Sequence, residues 1–272
     1  MAITEKVELL GKGLYADIPD VLTLKTLPTI SELEYVGSDD FDETMLDKIL
    51  PSCIEEKIDM SSLLEIDYQW ILRCLRIFNY GPYHTANSVY CPDCGKTHYQ
   101  ECRVDLRSVD CKPLPEKFKN SITLERDRFL DFEGAITFKL PTIRAILNSR
   151  KDKAFSTPSG DHNNQLARIC YMVTSMKAQK NMTPLEVKLM IEKEMTPADY
   201  MVLKEEVTHL SDYGLRAGGK TICPVCRSTD AVFLALVDDR FFRPSLGDLR
   251  KWRDDRNKGE SENVSRSSSK NV

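Results

Sequence analysis

The clearest pattern of apolar and polar positions along the chain predicts a helix over residues 65–80. Apolar side chains recur there at steps of three and four residues and so share one face, namely Trp70, Ile71, Cys74, Leu75 and Phe78. Gly81 follows at a position where a left-handed cap costs little, and Pro82 prevents the helix from continuing. A stripe of this kind is usually core; the alternative is that Trp70 belongs to a surface that binds a partner.

Two shorter segments show the alternation of strands and turns instead of the helical period. Residues 88–106 are predicted to form a hairpin whose return strand lies within 99–106. Residues 220–223 and 232–237 are predicted to form the strands of a second hairpin. Each hairpin carries a Cys-x-x-Cys pair at its tip, so each could present two sulfur atoms from one tight turn.

Most of the remaining pattern is helical. A helix over 41–50 is predicted to stop before Pro51, because the residue that precedes a proline disfavours helical dihedral angles. Apolar periodicity predicts another helix over 164–179. Two Thr-Pro sequences, at Thr183 and Thr196, are typical of helix starts with a capping side chain.

The expected fold class is α+β, a mainly helical protein with a small, zinc-ribbon-like pair of β-hairpins and a helical insert between the two knuckles. Within the insert, a strand over 135–140 and a helix that begins at Pro141 are predicted. The predicted regions are an extended N-terminal arm (1–30), an acidic helical region (31–87), a split zinc-ribbon-like module (88–114 and 218–240), a mostly helical insert (115–217), a basic C-terminal segment (241–256) and a disordered tail (257–272).

Composition and charge restrict the classes of function. The chain has 272 residues, of which 41% are hydrophobic and 29% charged, so it can fold around hydrophobic cores. A net charge of −4 counts against a protein that coats nucleic acid through bulk positive charge. No apolar run approaches the roughly 20 residues that cross a bilayer, and the start lacks the apolar core of a secretory signal. We therefore expect no membrane segment and a reducing compartment.

Four of the nine cysteines form the two Cys-x-x-Cys pairs, Cys91/Cys94 and Cys223/Cys226. In a reducing compartment such pairs are typical of metal ligands rather than of disulfides. Four thiolates would fill a tetrahedral shell around Zn²⁺, which indicates a structural ion rather than a catalytic one. The 128 residues between the pairs are tolerated if the insert folds with its ends close together, because the entropy of loop closure grows slowly with length.

Two alternatives to this four-cysteine site remain open. A local site could combine Cys91 and Cys94 with two of three nearby donors, which are His98, Cys102 and Cys111. The thiols could also bind no metal and be merely buried or redox-active, although strand-like flanks are not typical of a thioredoxin-like motif. The sequence contains no phosphate-binding glycine loop, nucleophile elbow or His-Glu-x-x-His motif. It therefore indicates neither an enzyme nor a small-molecule substrate.

Near the C-terminus, two aromatic side chains stand beside a basic one, in the order Phe241, Phe242 and Arg243. Aromatic residues and arginine are enriched in interface hot spots, so these three residues and Trp70 are candidate partner contacts. The alternative is that both phenylalanines belong to the core. The acidic stretch 29–67 could also pair with this basic end between subunits.

Several motifs follow one another in order over most of residues 20–245, beginning with Leu24 to Leu27 and Ser31-Glu32-Leu33-Glu34. The later members are residues 66–72 and 75–81, Cys91-Pro92-Asp93-Cys94-Gly95, Val104-Asp105-Leu106, Cys223-Pro224-Val225-Cys226 and Phe241-Phe242-Arg243-Pro244-Ser245. This ordered series resembles the baseplate-protein family of T-even-like contractile-tailed bacteriophages. The second cysteine pair departs from the pattern at Arg227, where a glycine often follows.

The resemblance implies a non-enzymatic component or assembly factor of a tail baseplate or its hub. Such a protein would bind other tail proteins in the host cytoplasm during assembly and could remain in the virion. The other interpretation is a zinc-ribbon protein that binds nucleic acid or the transcription machinery. The net charge of −4 and the lack of a basic stripe count against direct binding of DNA.

Overall fold

The fold is given by a computed structural model, which describes residues 3–28, 40–86, 88–99, 102–157, 159–215, 219–233, 242 and 247–254. Over these residues the protein is mixed α/β, 43% helical and 21% strand, with several small antiparallel sheets. The prediction of a mainly helical protein is therefore wrong. The physical reason is that the segment between the hairpins contributes a four-stranded sheet of its own in addition to helices.

The described helices are α1 (Phe41–Thr44), α2 (Leu50–Cys53), α3 (Glu65–Tyr80), α4 (Ile143–Lys151), α5 (Asn164–Met172), α6 (Pro184–Glu194), α7 (Pro197–Ser211) and a terminal helix over 247–254. The described strands are β1 (Thr4–Glu8), β2 (Val21–Lys25), β3 (Tyr83–Ala86), β4 (Val89–Cys91), β5 (Lys96–His98), β6 (Cys102–Asp105), β7 (Cys111–Lys112), β8 (Ile122–Leu124), β9 (Ile136–Phe138), β10 (Val173–Met176), β11 (Gln179–Lys180), β12 (Gly214–Leu215), β13 (Gly219–Thr221) and β14 (Ala231–Phe233).

The chain divides into two compact units, each built from segments that are distant in sequence. Unit 1 consists of Met1–Glu5, Leu72–Cys111 and Leu215–Val272, and unit 2 consists of Lys6–Ile71 and Lys112–Gly214. Unit 1 contains a four-stranded sheet of order β13-β14-β4-β5 and the two-stranded sheet β3-β6. Unit 2 contains the four-stranded sheet of order β11-β10-β9-β8.

The core of unit 2 lies against one face of its four-stranded sheet. Ile136 and Phe138 on β9 are fully buried, while Thr137 between them faces the other side and shares a 3.0 Å hydrogen bond with Thr123 of β8. Alternation of this kind is what a sheet with one covered face requires. Helices α5, α6 and α7 supply further core side chains, among them Ala167, Ile169, Met172, Val187, Ile191, Leu203 and Val207.

The predicted stop before Pro51 is wrong, because the helical segment continues through that proline. A π-helical stretch, Met45–Ile49, joins α1 to α2, and the N–H of Leu50 donates to the carbonyl of Met45. A proline inside a helix has no N–H to donate, and its ring crowds the carbonyl four residues earlier. The wider turn of the π-helix, with bonds that span five residues, accommodates the ring.

The helix predicted over 164–179 is also wrong in its second half. Helix α5 ends at Met172, and Val173–Met176 pairs as β10 with β9 and with β11. Tertiary pairing overrides the apolar periodicity here, since β-branched Val173 and Thr174 suit a strand. The helix expected from Pro141 begins at Ile143 instead, with Thr142 as its N-cap.

Several local predictions are confirmed. Helix α3 has the predicted bounds, Glu65–Tyr80, and a capping box is formed by Thr183 and Glu186 at the start of α6. The predicted strand over 135–140 is present as β9.

Acidic residues near α1 form ion pairs within unit 2. Lys151 at the end of α4 lies 2.7 Å from Asp40 and 2.6 Å from Glu43, and Arg150 lies 2.7 Å from Asp42. Solvent screens such exposed ion pairs, so each contributes little to stability. These carboxylates of the acidic stretch are therefore already paired within their own chain.

Candidate metal centre

The two cysteine pairs lie at the tips of two hairpins that share one sheet. Strands β4 and β5 form the first hairpin, β13 and β14 form the second, and β14 pairs antiparallel with β4. The second hairpin agrees with the sequence prediction over the described residues. The return strand predicted within 99–106 is wrong for the first hairpin, because the turn at Gly95 closes at once and the chain returns as Lys96–His98. Strand β6, within 99–106, pairs with β3 instead.

Both cysteine turns have the same local geometry. The N–H of Cys94 donates to Sγ of Cys91 over 3.4 Å, and the N–H of Cys226 donates to Sγ of Cys223 over 3.5 Å. In each turn, the Sγ atom of the first cysteine therefore faces the backbone N–H of the second cysteine. Such N–H donors stabilise a thiolate, which is the form that binds a metal ion.

The tertiary structure brings all four sulfur atoms together. The Sγ atoms of Cys91 and Cys226 are 3.6 Å apart, and those of Cys94 and Cys223 are 3.8 Å apart. All four lie within 4.8 Å of one another. A tetrahedron with metal–sulfur bonds of about 2.3 Å has sulfur–sulfur edges of about 3.8 Å. The cluster is thus compatible with a single tetrahedral ion, as the sequence predicts for these four cysteines.

Burial and proton affinity differ among the four thiols. Cys91 and Cys223 are buried, Cys94 is half-buried and Cys226 is exposed. Burial raises the pKa of Cys223, but N–H donors of Cys226 and Val225 and the neighbouring thiols outweigh it, so the pKa falls to about 6. The hydrogen bond to Cys226, followed by burial, raises the pKa of Cys94 to about 12. Without a metal, Cys94 keeps its proton at neutral pH, whereas Cys223 is mostly a thiolate.

The donors of the local alternative are placed differently. His98 on β5 is buried, and its Nε2 has no hydrogen-bond partner among the described atoms. Cys111 is half-buried on β7, and the side chain of Cys102 lies outside the described residues. Within the described part of the chain, the cluster of metal-ligating atoms around Cys91 and Cys94 is completed by the second pair and contains neither His98 nor Cys111.

Three thiols outside the cluster are poor nucleophiles. Burial raises the pKa of Cys53, and it raises the pKa of Cys74 and of Cys170 to about 12. At neutral pH these sulfurs are protonated and act as small apolar side chains.

The candidate partner contacts lie in different environments. The half-buried Trp70 donates its indole N–H to the carbonyl of Glu8 over 3.0 Å. Phe242 is only 4% exposed and packs edge-on against Tyr80 at 6.4 Å, so its ring is a core contact of unit 1. Phe241 and Arg243 lie outside the described residues.

Sequence reasoning missed the way in which the terminal helix (247–254) packs against the rest of unit 1. The side chain of Trp252 covers Gly81 so closely that a Cβ there would lie 2.4 Å from the indole ring. Beneath it, Arg76 is fully buried and donates to the carbonyls of Gly81 and Tyr83 over 2.6 and 2.7 Å. Burial lowers the pKa of Arg76 to about 10, and the carboxylate of Asp248 partly offsets this. No local pattern links residues so distant in sequence.

Sequence reasoning also missed an exposed face of the sheet in unit 1. Cross-strand pairs place Thr97, Tyr90, Val232 and Lys220 in one row across β5, β4, β14 and β13. The opposite side of the sheet holds buried Val89, His98 and Ala231. Tyr99 and Ile222 directly follow β5 and β13 and are 85% and 53% exposed. We call these six residues (Thr97, Tyr90, Val232, Lys220, Tyr99 and Ile222) the ribbon face.

Charge is divided unevenly between the units. Unit 1 holds 17 basic and 13 acidic residues, a net charge of +4, although the whole chain has a net charge of −4. The unit that carries the cysteine cluster is therefore basic, although the whole chain is acidic.

Comparison of the chain with protein-family models, with curated proteins and with solved structures finds no match. Within the described residues, no helix has both the length and the apolar character that crossing a bilayer requires.

Proposed function

We propose that this protein is a non-enzymatic structural or assembly component that binds other proteins and whose unit 1 is held together by one structural Zn²⁺. The observation that carries the proposal is the convergence of four cysteine sulfurs at tetrahedral spacing. Four thiolates fill the shell of the ion and leave no position for water or substrate. Soft thiolate donors in a tetrahedron suit zinc, with iron as the other metal of that geometry.

The ribbon face supports a role in binding partners. Tyr90 is 40% exposed on this sheet, and Tyr99 and Ile222, directly after β5 and β13, are further large side chains that are exposed. Tyrosine is enriched at the centres of protein interfaces, where it contributes apolar area together with a polar tip. A sheet fixed by a metal ion would present these side chains in one rigid arrangement.

The proposed setting is the assembly of a contractile phage tail, with baseplate or hub proteins as the partners. Support comes from the ordered motifs, two of which are the cysteine pairs that form the candidate metal centre. The place of action would be the host cytoplasm during assembly, and afterwards the baseplate if the subunit stays in the particle.

The test combines metal analysis with capture of identified partners. The purified chain should contain one zinc per polypeptide. A tagged chain should copurify from infected cells with proteins that mass spectrometry identifies as baseplate components. Tyr90→Ala and Tyr99→Ala should weaken that capture at least about tenfold, the typical cost of losing an interface hot spot, while zinc content is unchanged. The matched controls are Leu185→Ala and Met201→Ala, exposed apolar residues of unit 2 that should bind partners normally. Equal loss in all four variants would contradict the role of the ribbon face.

A second candidate function, binding of nucleic acid by the zinc-containing unit, is favoured by one observation. Unit 1 has a net charge of +4 and exposes Tyr90 and Tyr99 on or next to the sheet that carries Lys220, and exposed aromatic rings on a basic unit can stack with unpaired bases. Salt-sensitive binding of a labelled oligothymidylate that Tyr90→Ala abolishes would favour this candidate over the first.

A further inference from the structure

We propose that Cys226 is an oxidation-sensitive ligand, and that a hydroperoxide converts Cys226 and Cys91 into a disulfide and opens the metal centre. This inference rests on the proposed zinc site. It assigns to that site a modification chemistry and a specific pair of sulfurs.

Because Cys226 is exposed, its sulfur is the one that reacts with the peroxide. It is the exposed member of the cluster, whereas Cys91 and Cys223 are buried and Cys94 is half-buried. Oxidants react with accessible thiolates, and a metal ion keeps its sulfur ligands in that form. Elsewhere in the described chain, Cys53 and Cys170 are buried, so a dissolved oxidant cannot reach them readily.

Proximity selects Cys91 as the sulfur that completes the reaction. Its Sγ lies 3.6 Å from that of Cys226, across the two hairpins. A disulfide has a sulfur–sulfur bond of about 2.05 Å, so the two atoms need to approach by about 1.5 Å. Loss of two thiolate ligands leaves only Cys94 and Cys223, which is too few to hold a tetrahedral ion.

The chemistry balances without any further reactant. The Cys226 thiolate attacks one oxygen of hydrogen peroxide, which breaks the O–O bond and gives a sulfenic acid and hydroxide. The Cys91 thiolate then attacks the Cys226 sulfur and displaces a second hydroxide. Two thiolates lose two electrons, peroxide gains two, and the hydroxides take protons from the solvent.

The test uses the zinc-loaded full chain and equimolar hydrogen peroxide. Zinc release is followed with a chromogenic chelator, and disulfides are mapped by mass spectrometry of non-reduced peptides. We expect release of one zinc per chain together with a Cys91–Cys226 linkage, both reversed by dithiothreitol and added zinc. A zinc-loaded chain that forms another disulfide, or that keeps its zinc, would overturn this inference alone. A chain that binds no metal would overturn the zinc site itself.

A matched variant separates reactivity from metal binding. Cys226→His keeps a zinc ligand but removes the exposed sulfur, so peroxide should release its zinc at least about tenfold more slowly. Cys170→Ala removes a buried thiol outside the cluster and should leave the release rate unchanged. Should Cys226→His misfold, the order of alkylation by N-ethylmaleimide in the native chain gives an independent answer. Cys226 must then be labelled first among the four ligands, and earlier labelling of another would contradict the inference.

Discussion

Gly95 and Arg227 have the same left-handed backbone conformation, each with a φ of +65°, at equivalent positions of the two cysteine turns. Each follows the second cysteine of its pair, where the chain must reverse before the next strand or loop. Glycine adopts this conformation freely, whereas a residue with a Cβ pays about 1–2 kcal/mol. The departure from the glycine pattern at Arg227 therefore alters the energy of the second turn and leaves its geometry intact.

Substitutions at these two positions should have opposite effects on stability. Gly95→Ala should lower the free energy of unfolding by about 1 kcal/mol, because an added Cβ meets no atom within 4 Å and only the backbone conformation is penalised. Arg227→Gly should raise it by about 0.5 kcal/mol, since the relief of strain exceeds the extra entropy of glycine in the unfolded chain. Urea unfolding in the presence of zinc measures both changes. Arg227→Ala is the control and should match the wild type, so an Arg227→Gly variant less stable than Arg227→Ala would refute the argument.

Loss of a single ligand should remove the metal and the folding yield together. Cys91→Ser and Cys223→Ser should weaken zinc binding by at least about 100-fold and lower solubility, because the binding free energy of a structural zinc is folding free energy. Zinc content and the yield of soluble protein are the measurements. Cys111→Ser and His98→Asn should keep one zinc per chain, which separates the four-cysteine site from the local alternative. Normal folding of both ligand variants without metal would exclude a structural ion.

Zinc binding should release protons, and zinc affinity should fall as the pH falls. The pKa of Cys94 is about 12 in the metal-free cluster and that of Cys226 is raised above its ordinary value, so both thiols lose a proton when zinc binds at pH 7. The pKa of Cys223 is about 6, so below that pH its proton is released as well. A weakly buffered titration with an indicator dye counts these protons. Zinc binding that releases no protons at pH 7 would show that the thiols are not the ligands.

A second test concerns a buried carboxylate in unit 2. Asp199 is fully buried near the start of α7 and accepts hydrogen bonds from the N–H groups of Leu130 and Phe132 over 2.7 and 3.0 Å and from the hydroxyl of Thr196 over 2.8 Å. Burial raises its pKa, but these donors outweigh burial and the pKa is lowered. The carboxylate thus connects the loop before β9 to the start of α7.

Asp199→Asn should destabilise the protein by about 2–3 kcal/mol at pH 7, because an amide cannot accept all of these hydrogen bonds. The lowered pKa means that the charged group contributes stability above the ordinary carboxyl pKa of about 4, and that this stability is lost as the pH falls through the folded-state value. The difference between variant and wild type should therefore shrink in acid. Urea unfolding at several pH values measures it. Glu205→Gln, an exposed position on the same helix, should change stability by less than about 0.5 kcal/mol.

Features that depend on neighbours in sequence were predictable. Helix α3 follows from apolar residues at helical spacing, and the capping box of α6 follows from Thr183 and Glu186 three residues apart. The four cysteines could be named as one ligand set because a Cys-x-x-Cys turn by itself directs two sulfurs to one side. The wrong predictions concern segments whose secondary structure depends on a distant partner. At Val173, for example, the apolar pattern predicts a helix, but the residue pairs with Phe138 and forms a strand.

By itself, then, the amino-acid sequence determined the residue types and their spacing within single turns, and so identified the two Cys-x-x-Cys pairs as candidate ligands. Only the tertiary structure decided that the two pairs converge, with 3.6 Å between the Sγ atoms of Cys91 and Cys226 and 3.8 Å between those of Cys94 and Cys223. It also decided that Phe242 is buried and that Tyr90 faces solvent. The reason is that short strands of three residues carry too little pattern to specify a partner. In the sheet of unit 1, for example, the pairing of β14 with β4 joins segments more than 100 residues apart.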